Sequence, residues 1–339
     1  MIILCFGTSG YIGGIQRVQH HIEHVIAKTG RPYRVLGYNT EGSRITRPIR
    51  QAWFFLQVFL ESLKGQRRFL FGHPALAAVV GKLPVQIRYS VMTHGLELEK
   101  VPVPTLMAVF KGAEAVICNS EFSAAMIRDK FELDNLKQVH YPPHVFPEAN
   151  ILKRNAKTAR PRLLIVGRMF RSEGYKGHDL LLKCWPEIVK TFPDATLAIV
   201  GNGDGLAVLK QLAEEVGVSS NVEFITGLND VALANEYARA WAFAMPSTGE
   251  GQGLVYLEAM QFGLPVIALS ETPAAEFVIS GENGFLVDSG REQNMVSAIE
   301  TLFSDQKLLG DMQKKARATY DSFIQNSEFK AVITSVTAP

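Results

Sequence analysis

Two carboxylates, Glu250 and Glu258, lie in the stretch STGEGQGLVYLEAM at residues 247–260. Glycines surround the first, and an apolar, helix-like run leads to the second. An acid and a base that cleave a glycosidic bond must flank one anomeric carbon, with their carboxyl groups ~5–9.5 Å apart. Positions eight apart on a helix are separated by ~12 Å at ~1.5 Å per residue. The spacing therefore favours two carboxylates that bind successive parts of one ligand, and a hydrolase is the lesser alternative.

The glycines between these carboxylates indicate a binding site for an anion. Gly251 and Gly253 leave backbone N–H groups accessible where a helical pattern starts at Leu254 and continues through Val255. The N-terminus of a helix attracts phosphate groups. Glu258, about one turn into the helix, can accept hydrogen bonds from vicinal hydroxyls, each worth ~1.5–3 kcal/mol. A phosphate site followed by a carboxylate that grips a ribose is the pattern of a nucleotide site.

A pair of cations lies earlier in the chain. In IVGRMFRSEGYKGHDLLL, Arg168 ends a predicted strand and Lys176 comes just before a predicted helix. An arginine fork together with a lysine point charge can hold a diphosphate and stabilise it as a leaving group. The alternative interpretation of this pair is a surface ion cluster without a ligand.

The loop GTSGYIGG after the first predicted strand is ambiguous. Its glycines Gly7, Gly10 and Gly13 resemble the NAD fingerprint of extended short-chain dehydrogenases and sugar epimerases. Those enzymes use a Tyr with a Lys four residues later, and none of the nine tyrosines has one. In those enzymes an acidic residue at the end of the second strand holds the ribose of NAD. Here the segment offers only Glu41, which lies beyond the apparent end of that strand. Two interpretations of the loop stay open: a phosphate-binding turn at a helix N-terminus, or a tight turn without a ligand.

Short apolar strands alternate with helical stretches through the chain. Runs such as MIILCFG and AEAVICNS precede the polar, basic segment NILKRNAKTARPR, which is typical of a linker. The alternation of strands and helices begins again after it, at RLLIVGR. Strands this apolar on both faces are typical of parallel sheets covered by helices. We therefore predict an α/β protein with two Rossmann-like, doubly wound domains facing each other across a cleft, at residues 1–150 and 151–318. A helix at 319–339 is expected to pack back on the first domain.

The composition predicts a globular protein of the cytoplasm. No run reaches the ~18–20 apolar residues that a membrane span requires. The start MIILCF lacks the basic region of a secretory signal and is expected to form the first strand. The cysteines Cys5, Cys118 and Cys184 are widely spaced in apolar runs, which predicts buried thiols in a reducing compartment.

Positive charge is concentrated in the first half of the chain. Residues 1–150 contain 17 Lys and Arg against 11 Asp and Glu, although the whole chain has a net charge of only +2. Much of it flanks an aromatic, amphipathic helix, at Arg44, Arg47, Arg50, Lys64, Arg67 and Arg68. Two interpretations stay open: a solvated helix that packs on the core, or a helix that docks on an anionic membrane surface. No nucleic-acid-binding module is recognisable, so no nucleic-acid partner is expected.

These motifs together resemble family 4 of the retaining glycosyltransferases, which have the GT-B fold. The resemblance rests on G-R-x(7)-K-G and on P-S-x-x-E-G-x-G-L-x-x-L-E-A-M-x-x-G-x-P-V, which includes an E-x(7)-E signature. GGIQRV, THG and CNSEFS also match, in order. The resemblance covers nearly the whole chain and is most specific at residues 163–288. Two departures are a longer loop between Arg168 and Lys176 than in many members, and YPPHVF in place of the usual N-G-V-D, which puts the acceptor contacts in doubt.

The resemblance implies that a donor nucleotide is held by cations, backbone and a carboxylate. Arg168 and Lys176 would bind the diphosphate, and the Gly13–Gly14 loop would lie against it. Glu258 would hold the ribose hydroxyls. The backbone around Leu228 would face the base.

The resemblance also implies contacts to the transferred sugar. Glu250, with the amides that follow it, would hold hydroxyls of this sugar. His94, in THG, would contact one hydroxyl from the first domain. The residues implied to act in catalysis are therefore His94, Arg168, Lys176 and Glu250.

The implied reaction moves a hexosyl group, with retention, from a nucleoside diphosphate sugar to a hydroxyl of a saccharide or lipid-linked saccharide. UDP-glucose is the expected donor, in polysaccharide or glycoconjugate biosynthesis. No cofactor is expected, and no metal, because Asp-x-Asp is absent from the sequence. His20 and His24 have i, i+4 spacing, but they are expected to be surface or acceptor-facing side chains rather than metal ligands. A nucleotide-sugar 2-epimerase and a non-catalytic nucleotide-sugar-binding protein of the same fold are the alternatives.

Overall fold

A computed structural model of the chain describes residues 1–8, 14–39, 45–65, 67–95, 97–147, 158–290 and 292–338. The chain divides into two units, one formed by Met1–Pro143 with Ser327–Pro339 and the other by His144–Asn326. The domain boundary predicted at residue 150 falls within residues 148–157, which lie outside the described residues. Each unit has its own sheet and its own hydrophobic core.

The first unit is built on a parallel sheet. Its strands are β1 (Ile2–Thr8), β2 (Tyr33–Asn39), β3 (Arg68–Phe71), β4 (Arg88–Met92), β5 (Ala115–Cys118) and β6 (Leu136–Gln138). The six strands lie in the order β2-β1-β3-β4-β5-β6, and each neighbouring pair is parallel. The strand order reverses between β1 and β3. In sheets of this kind such a reversal marks where ligands bind.

Helices cover this sheet and account for the apolar character of its strands. They are α1 (Gly14–Lys28), α2 (Arg47–Ser62), α3 (Pro74–Ala77), α4 (Glu97–Lys100), α5 (Val103–Gly112) and α6 (Glu121–Phe131). Every residue of β5 is buried, as expected for a strand with helices on both faces. The start of α6 is fixed by Ser120, whose hydroxyl accepts a hydrogen bond from the Ser123 amide at 3.0 Å.

The second unit contains a second parallel sheet. Its strands are β7 (Arg162–Val166), β8 (Thr196–Val200), β9 (Val222–Ile225), β10 (Ala242–Ala244), β11 (Val266–Leu269) and β12 (Gly284–Val287). They lie in the order β12-β11-β10-β7-β8-β9. The first strand of this unit, β7, is therefore central, and the order reverses between β7 and β10. This is the strand order of a dinucleotide-binding doubly wound sheet.

Six helices of the second unit pack around this sheet within the described residues. They are α7 (His178–Thr191), α8 (Leu206–Glu215), α9 (Asp230–Arg239), α10 (Leu254–Gln261), α11 (Glu292–Ser304) and α12 (Gln306–Gln325). The largest fully buried side chains of the core include Trp185, Tyr237, Phe243 and Tyr256. They belong to α7, α9, β10 and α10, so the core is formed between the sheet and its helices.

The C-terminal segment contains two helices where the sequence indicated one. Residues 319–325 complete α12 in the second unit, and α13 (Phe329–Val336) belongs to the first unit. α12 ends at Asn326, whose amide donates to the Ser322 carbonyl. The Phe329 ring lies 5.8 Å from the Tyr141 ring, so α13 packs on the first unit.

The predictions from composition concern the cysteines and membrane-spanning segments. Cys5, Cys118 and Cys184 are free and buried. Over the ranges that the structure describes, every helix is too short or too polar to cross a bilayer.

Candidate functional site

Three of the predicted site residues of the second unit lie beyond the carboxyl ends of two neighbouring strands. β7 leads to Arg168 and Lys176, and β10 leads to Glu250. The two strands pair in parallel where the strand order reverses, and in sheets of this kind the ligand-binding crevice lies at this point, beyond the carboxyl ends of the strands. The structure thus brings Lys176 and Glu250 together across 74 positions of sequence.

Backbone contacts hold these two loops against each other. The Thr248 amide donates to the Tyr175 carbonyl at 2.9 Å. Gly177 has a φ of 79°, and a Cβ at this position would lie 2.6 Å from the carbonyl oxygen of Pro246. Glycine is therefore required here for the left-handed backbone and for the close approach. Lys176, directly before it, is fixed beside the loop that follows β10.

Lys176 and Glu250 form an ion pair between the loops that follow β7 and β10. The Lys176 Nζ lies 2.5 Å from the Glu250 Oε1, and the two side chains are only 14% and 13% exposed. The Ser247 hydroxyl donates to the same oxygen at 3.0 Å. Burial, with the nearby carboxylates of Glu173 and Glu250, raises the pKa of Tyr175 to about 12. The Tyr175 ring lies 5.3 Å from the ammonium group of the lysine.

Arg168 begins the same loop and is more exposed. Its Nη2 lies 2.7 Å from the Oε1 of Glu173, and its guanidinium carbon lies 5.9 Å from the centre of the Phe170 ring. The extended loop predicted between Arg168 and Lys176 contains a 3-10 turn at Arg171–Lys176. Glu173, which the sequence reasoning did not single out, is therefore an ion-pair partner of the arginine.

Helix α10 begins directly after Gly253, as the sequence pattern predicted. Gly253 has a φ of 78°, and a Cβ at this position would lie 2.3 Å from the Tyr256 ring, so two constraints require glycine. Gly251 is buried, and Leu254 and Val255 form a partly exposed first turn. The backbone amides of such a turn form the electropositive end of the helix.

Glu258 is buried within the second unit, with 6% of its surface exposed. Its Oε1 accepts a hydrogen bond from the backbone N–H of His144 at 3.4 Å, and its Oε2 accepts one from the Tyr237 hydroxyl at 3.1 Å. The Tyr237 ring in turn stacks on Phe262 at 5.3 Å. These contacts anchor the carboxylate to α9 and to the chain at residue 144. The sequence reasoning missed both donors, because neither belongs to a recognisable motif.

Leu228 lies beyond the carboxyl end of the edge strand β9. The amide of Gly227, whose φ is 71°, donates to the side chain of Asn202 at 3.0 Å. Asn229 caps α9, because its side chain accepts a hydrogen bond from the Ala232 amide at 2.9 Å. The predicted base-facing segment is therefore a turn between β9 and α9. It lies at the same edge of the sheet as the loops after β7 and β10.

His178, the first residue of α7, is a buried imidazole to which the sequence reasoning gave no role. It is 4% exposed, and within the described residues its Nε2 has no hydrogen-bond partner. Burial, with the positive charge of Lys176, lowers the pKa of His178 to about 4. A Cβ on Gly167 would lie 3.5 Å from the imidazole ring, so the ring packs against the end of β7.

In the first unit, His94 follows β4. Its Nε2–H donates to the Gly72 carbonyl at 2.7 Å, and its backbone N–H donates to the Glu97 carboxylate. The ring lies 5.5 Å from the Tyr141 ring and 6.4 Å from the His73 ring. Burial lowers the pKa of His94 to about 4, against the opposing effect of the hydrogen bond to Gly72. The imidazole is therefore neutral near pH 7.

The first glycine loop can be described only at its end. Gly14 is the first residue of α1, whereas Gly13 lies outside the described residues. His20 and His24 both belong to α1. In the part of the chain that the structure describes, no group of three or more His, Cys, Asp and Glu side chains could hold a metal ion.

Residues 148–319 match the family described as glycosyl transferases group 1. A protein of Haemophilus influenzae described as an uncharacterized glycosyltransferase is 32% identical over 211 residues, which are 62% of this chain and 57% of that protein. The GDP-mannose-dependent alpha-(1-6)-phosphatidylinositol monomannoside mannosyltransferase of Mycolicibacterium smegmatis is 30% identical over 260 residues, which are 70% of this chain and 67% of that protein.

Solved structures of glycosyltransferases share the fold over the whole chain. WaaG, a glycosyltransferase involved in lipopolysaccharide biosynthesis, superposes with a TM-score of 0.77 at 19% identity and covers 100% of both chains. Anabaena HepE, solved in complex with UDP and glucose, superposes with a TM-score of 0.74 at 19% identity and covers 98% of this chain and 99% of its own. The predicted α/β, GT-B fold with two parallel sheets is confirmed. The chain belongs to the group 1 glycosyltransferases.

Proposed function

We propose that this glycosyltransferase moves a hexosyl group, with retention, from a nucleoside diphosphate sugar to a hydroxyl of a saccharide or lipid-linked saccharide. The observation that carries the proposal is the Lys176–Glu250 pair in the crevice between β7 and β10, with Arg168 on the same loop. Cations beside a carboxylate fit the two parts of a nucleotide sugar, a diphosphate and a ring that carries hydroxyls.

Stabilising the departing diphosphate is the main catalytic task. Arg168 and Lys176 would supply positive charge, and the start of α10 would supply backbone N–H groups. Such preorganised donors are worth ~2.7–4 kcal/mol each. The backbone proposed to contact the phosphates is that of Gly251, Gly253, Leu254 and Val255. As the bond from the anomeric carbon to the phosphate oxygen breaks, the acceptor oxygen bonds to the same face and the leaving phosphate oxygen takes the acceptor's proton.

Glu250 is proposed to hold hydroxyls of the transferred hexose. Lys176 and Ser247 both contact its Oε1. We therefore assign the sugar hydroxyl to Oε2, which a carboxylate bound in this way can still use as an acceptor. In this arrangement Lys176 bridges the sugar-binding carboxylate and the diphosphate. The same cation would thus align both parts of the donor.

Glu258 is proposed to bind the ribose hydroxyls, and the backbone at Leu228 to face the base. Glu258 accepts hydrogen bonds from Tyr237 and from the His144 amide, so it is already oriented. Ribose hydroxyls would have to share or exchange those donors. This requirement makes Tyr237 a positioning residue of the proposed ribose site.

Residues of the first unit are proposed to complete the contacts to the donor. His94 is neutral near pH 7 because its pKa is about 4, so it can serve as a hydrogen-bond partner of the sugar but not as a cation. Its Nε2–H is directed to Gly72, which leaves Nδ1 as an acceptor for a hydroxyl. Gly13 and Gly14 are proposed to lie against the diphosphate.

The donor base and sugar have two candidates. UDP-glucose is the donor expected from the sequence. GDP-mannose is the second candidate, because the Mycolicibacterium smegmatis relative is named as a GDP-mannose-dependent enzyme. We propose that neither a metal nor a cofactor is needed, because the cationic side chains and helix amides can carry the diphosphate charge. Buried free cysteines support a reducing cytoplasmic location.

The proposal is tested with the purified protein and a panel of UDP- and GDP-hexoses. We expect one donor to release free nucleoside diphosphate, at a rate that a saccharide or lipid-linked acceptor increases and a metal chelator leaves unchanged. NMR of the product should show the anomeric configuration of the donor. The matched control is Lys176→Met, which should bind the donor weakly and release little nucleotide.

The other outcomes separate the alternatives. A donor sugar returned with inverted C2 would identify an epimerase. Tight binding of a nucleotide sugar without turnover, in the presence of a broad acceptor panel, would identify a binding protein. Inverted anomeric configuration in the product would refute the retaining mechanism while leaving the transferase assignment intact.

A further inference from the structure

Helix α2 presents a row of large apolar side chains to the outside of the first unit. Their exposed fractions range from 40% to 71%. The row consists of Ile49, Trp53, Leu56, Leu60 and, directly after the helix, Leu63. Other exposed apolar residues within the described ranges, such as Val231 and Ile279, occur singly, which is ordinary for a protein surface. The row on α2 is a contiguous patch and requires an explanation.

The helical geometry places this row on one narrow face. At ~100° per residue, the five positions fall within an arc of about 80°, and at ~1.5 Å per residue they extend over about 21 Å. The core-facing residues Phe54 and Val58 are buried and lie about 140° and about 180°, respectively, from the centre of the row around the helix axis. The core therefore accounts for one apolar face of α2 and not for the other. The interpretation of a helix that packs on the core is confirmed for Phe54 and Val58, and the exposed row is a second apolar face of the same helix.

The surroundings of the row are basic. Arg47 begins α2. At the other end, the buried carboxylate of Glu61 is contacted by Arg34 at 2.7 Å, by Lys64 at 2.6 Å and by Arg67 at 3.3 Å. Three cations on one carboxylate leave positive charge at this end. Glu61, itself only 3% exposed, is the one acidic side chain in the range Arg47–Ser62.

We propose that this face of α2 docks on an anionic lipid bilayer, with the helix lying in the interface. An amphipathic helix buries its apolar face at the boundary of headgroups and acyl chains, and its basic residues bind anionic headgroups. Trp53 is the second of the five residues along the row, and tryptophan is enriched at the interface between membrane and water. The docking is a property of the first unit and does not depend on the transfer reaction proposed above.

The charge distribution favours a bilayer over a second copy of the chain. Two copies that pair antiparallel through this row would bring together their basic ends, Arg47 with Lys64 and Arg67. The acidic side chain at this end, Glu61, is already shared among three cations. Like charges placed against each other destabilise an interface. An anionic lipid surface provides the opposite sign over the whole length of the row. It also has no fixed shape to match.

The chain contains its own reporter for the test. Trp53 is 59% exposed, whereas Trp185 is fully buried and Trp241 is partly buried. Insertion of Trp53 among acyl chains should shift the fluorescence emission of the full-length protein to shorter wavelength. We expect this shift, and cosedimentation, with vesicles of phosphatidylcholine and phosphatidylglycerol. Trp53→Phe should abolish the shift while cosedimentation persists.

Paired variants distinguish vesicle binding through the row on α2 from nonspecific hydrophobic adsorption. Ile49→Ser with Leu60→Ser should weaken the vesicle partition coefficient at least about tenfold. Arg47→Glu should weaken it by more than about fivefold, since each basic residue contributes about that factor. The matched control, Val231→Ser with Ile279→Ser in the second unit, removes two similarly exposed apolar side chains and should bind as the parent does. Circular dichroism checks that each variant is folded.

Three results would overturn the proposal. The first is equal vesicle binding by the parent and the Ile49→Ser, Leu60→Ser variant. The second is equal binding to phosphatidylcholine alone and no loss at about 1 M salt, where charges are screened within ~3 Å. The third is a dimer in sedimentation equilibrium that Ile49→Ser with Leu60→Ser dissociates. This last result would assign the row to a second copy of the chain.

Discussion

Replacing Lys176 by Met and Glu250 by Gln, singly and together, probes the central contact of the site. The Nζ–Oε1 distance is 2.5 Å, and the side chains are 14% and 13% exposed. Removing one partner of a fully buried pair costs ~3–5 kcal/mol, because the other charge stays buried. Here part of each side chain reaches water, and the Ser247 hydroxyl still supports Glu250. We therefore expect each single variant to lower the free energy of unfolding by about 2 kcal/mol.

The double variant leaves no buried charge uncompensated, so its loss should be smaller than the sum of the single losses. A coupling free energy of about 1–2 kcal/mol is expected. Urea unfolding followed through Trp185, fully buried in the second unit, reports the stability of that unit. The control is Lys183→Met: Lys183 pairs with Asp179 at 3.2 Å on the surface, where such a pair contributes under ~0.5 kcal/mol.

The same variants separate nucleotide binding from sugar binding. Lys176→Met removes a charged hydrogen bond to phosphate and should weaken binding of UDP or GDP by about 10- to 100-fold. Glu250→Gln removes the carboxylate that competes for Lys176, so affinity for the nucleoside diphosphate alone should be equal or higher, while turnover falls. Isothermal titration calorimetry measures the first and the coupled release assay the second. A coupling below ~0.5 kcal/mol, or equal losses of nucleotide affinity in both variants, would refute the reasoning.

Three further perturbations test other residues of the second unit. Arg168→Ala should leave the melting temperature nearly unchanged, because the side chain is exposed. It should lower kcat/KM by an amount that corresponds to about 2–3 kcal/mol of transition-state stabilisation. An unchanged kcat/KM would contradict the proposed role of Arg168. Gly253→Ala should lower the free energy of unfolding by more than ~1 kcal/mol, since φ is 78° and the new Cβ meets the Tyr256 ring at 2.3 Å; thermal melts measure this. His178 has a folded pKa of about 4, below its unfolded value near ~6.5, so its neutral form stabilises the protein above that pH. Stability of the second unit should fall by up to ~3 kcal/mol as pH drops from ~6.5 to ~4, and His178→Asn should reduce this dependence when Trp185 is used as the probe.

The sequence predicted which segments form strands better than it predicted the order of those strands in the sheets. Apolar runs such as AVIC and VIAL became strands β5 and β11, in which every residue is buried. Such runs specify that a strand is covered on both faces, and they do not specify which strand lies next to it. The order β12-β11-β10-β7-β8-β9 depends on crossover connections and packing. For that reason the crevice between β7 and β10 could be located only in the structure.

The candidate site was predicted residue by residue, but not its internal contacts. Arg168, Lys176 and Glu250 were each singled out for a ligand from residue type and motif. That Lys176 and Glu250 bind each other follows from two loops meeting across β7 and β10, and Gly177 is what allows this approach to Pro246. A glycine in Y-K-G indicates a left-handed turn at most. The chain segment against which that turn packs is a tertiary property.

Glu258 shows the limit most clearly. The sequence predicted a carboxylate about one turn into the helix that begins at Leu254, available to a ligand; Glu258 lies at that position and is buried. The position of a residue in a helix does not identify the groups that contact its side chain. Here those groups are the Tyr237 hydroxyl from α9 and the backbone amide of His144. A buried carboxylate without donors would cost far more than the helix gains, so such donors have to exist. The sequence therefore implies that Glu258 has hydrogen-bond donors but does not identify them. The proposed ribose site would present a carboxylate that Tyr237 and the His144 amide already orient.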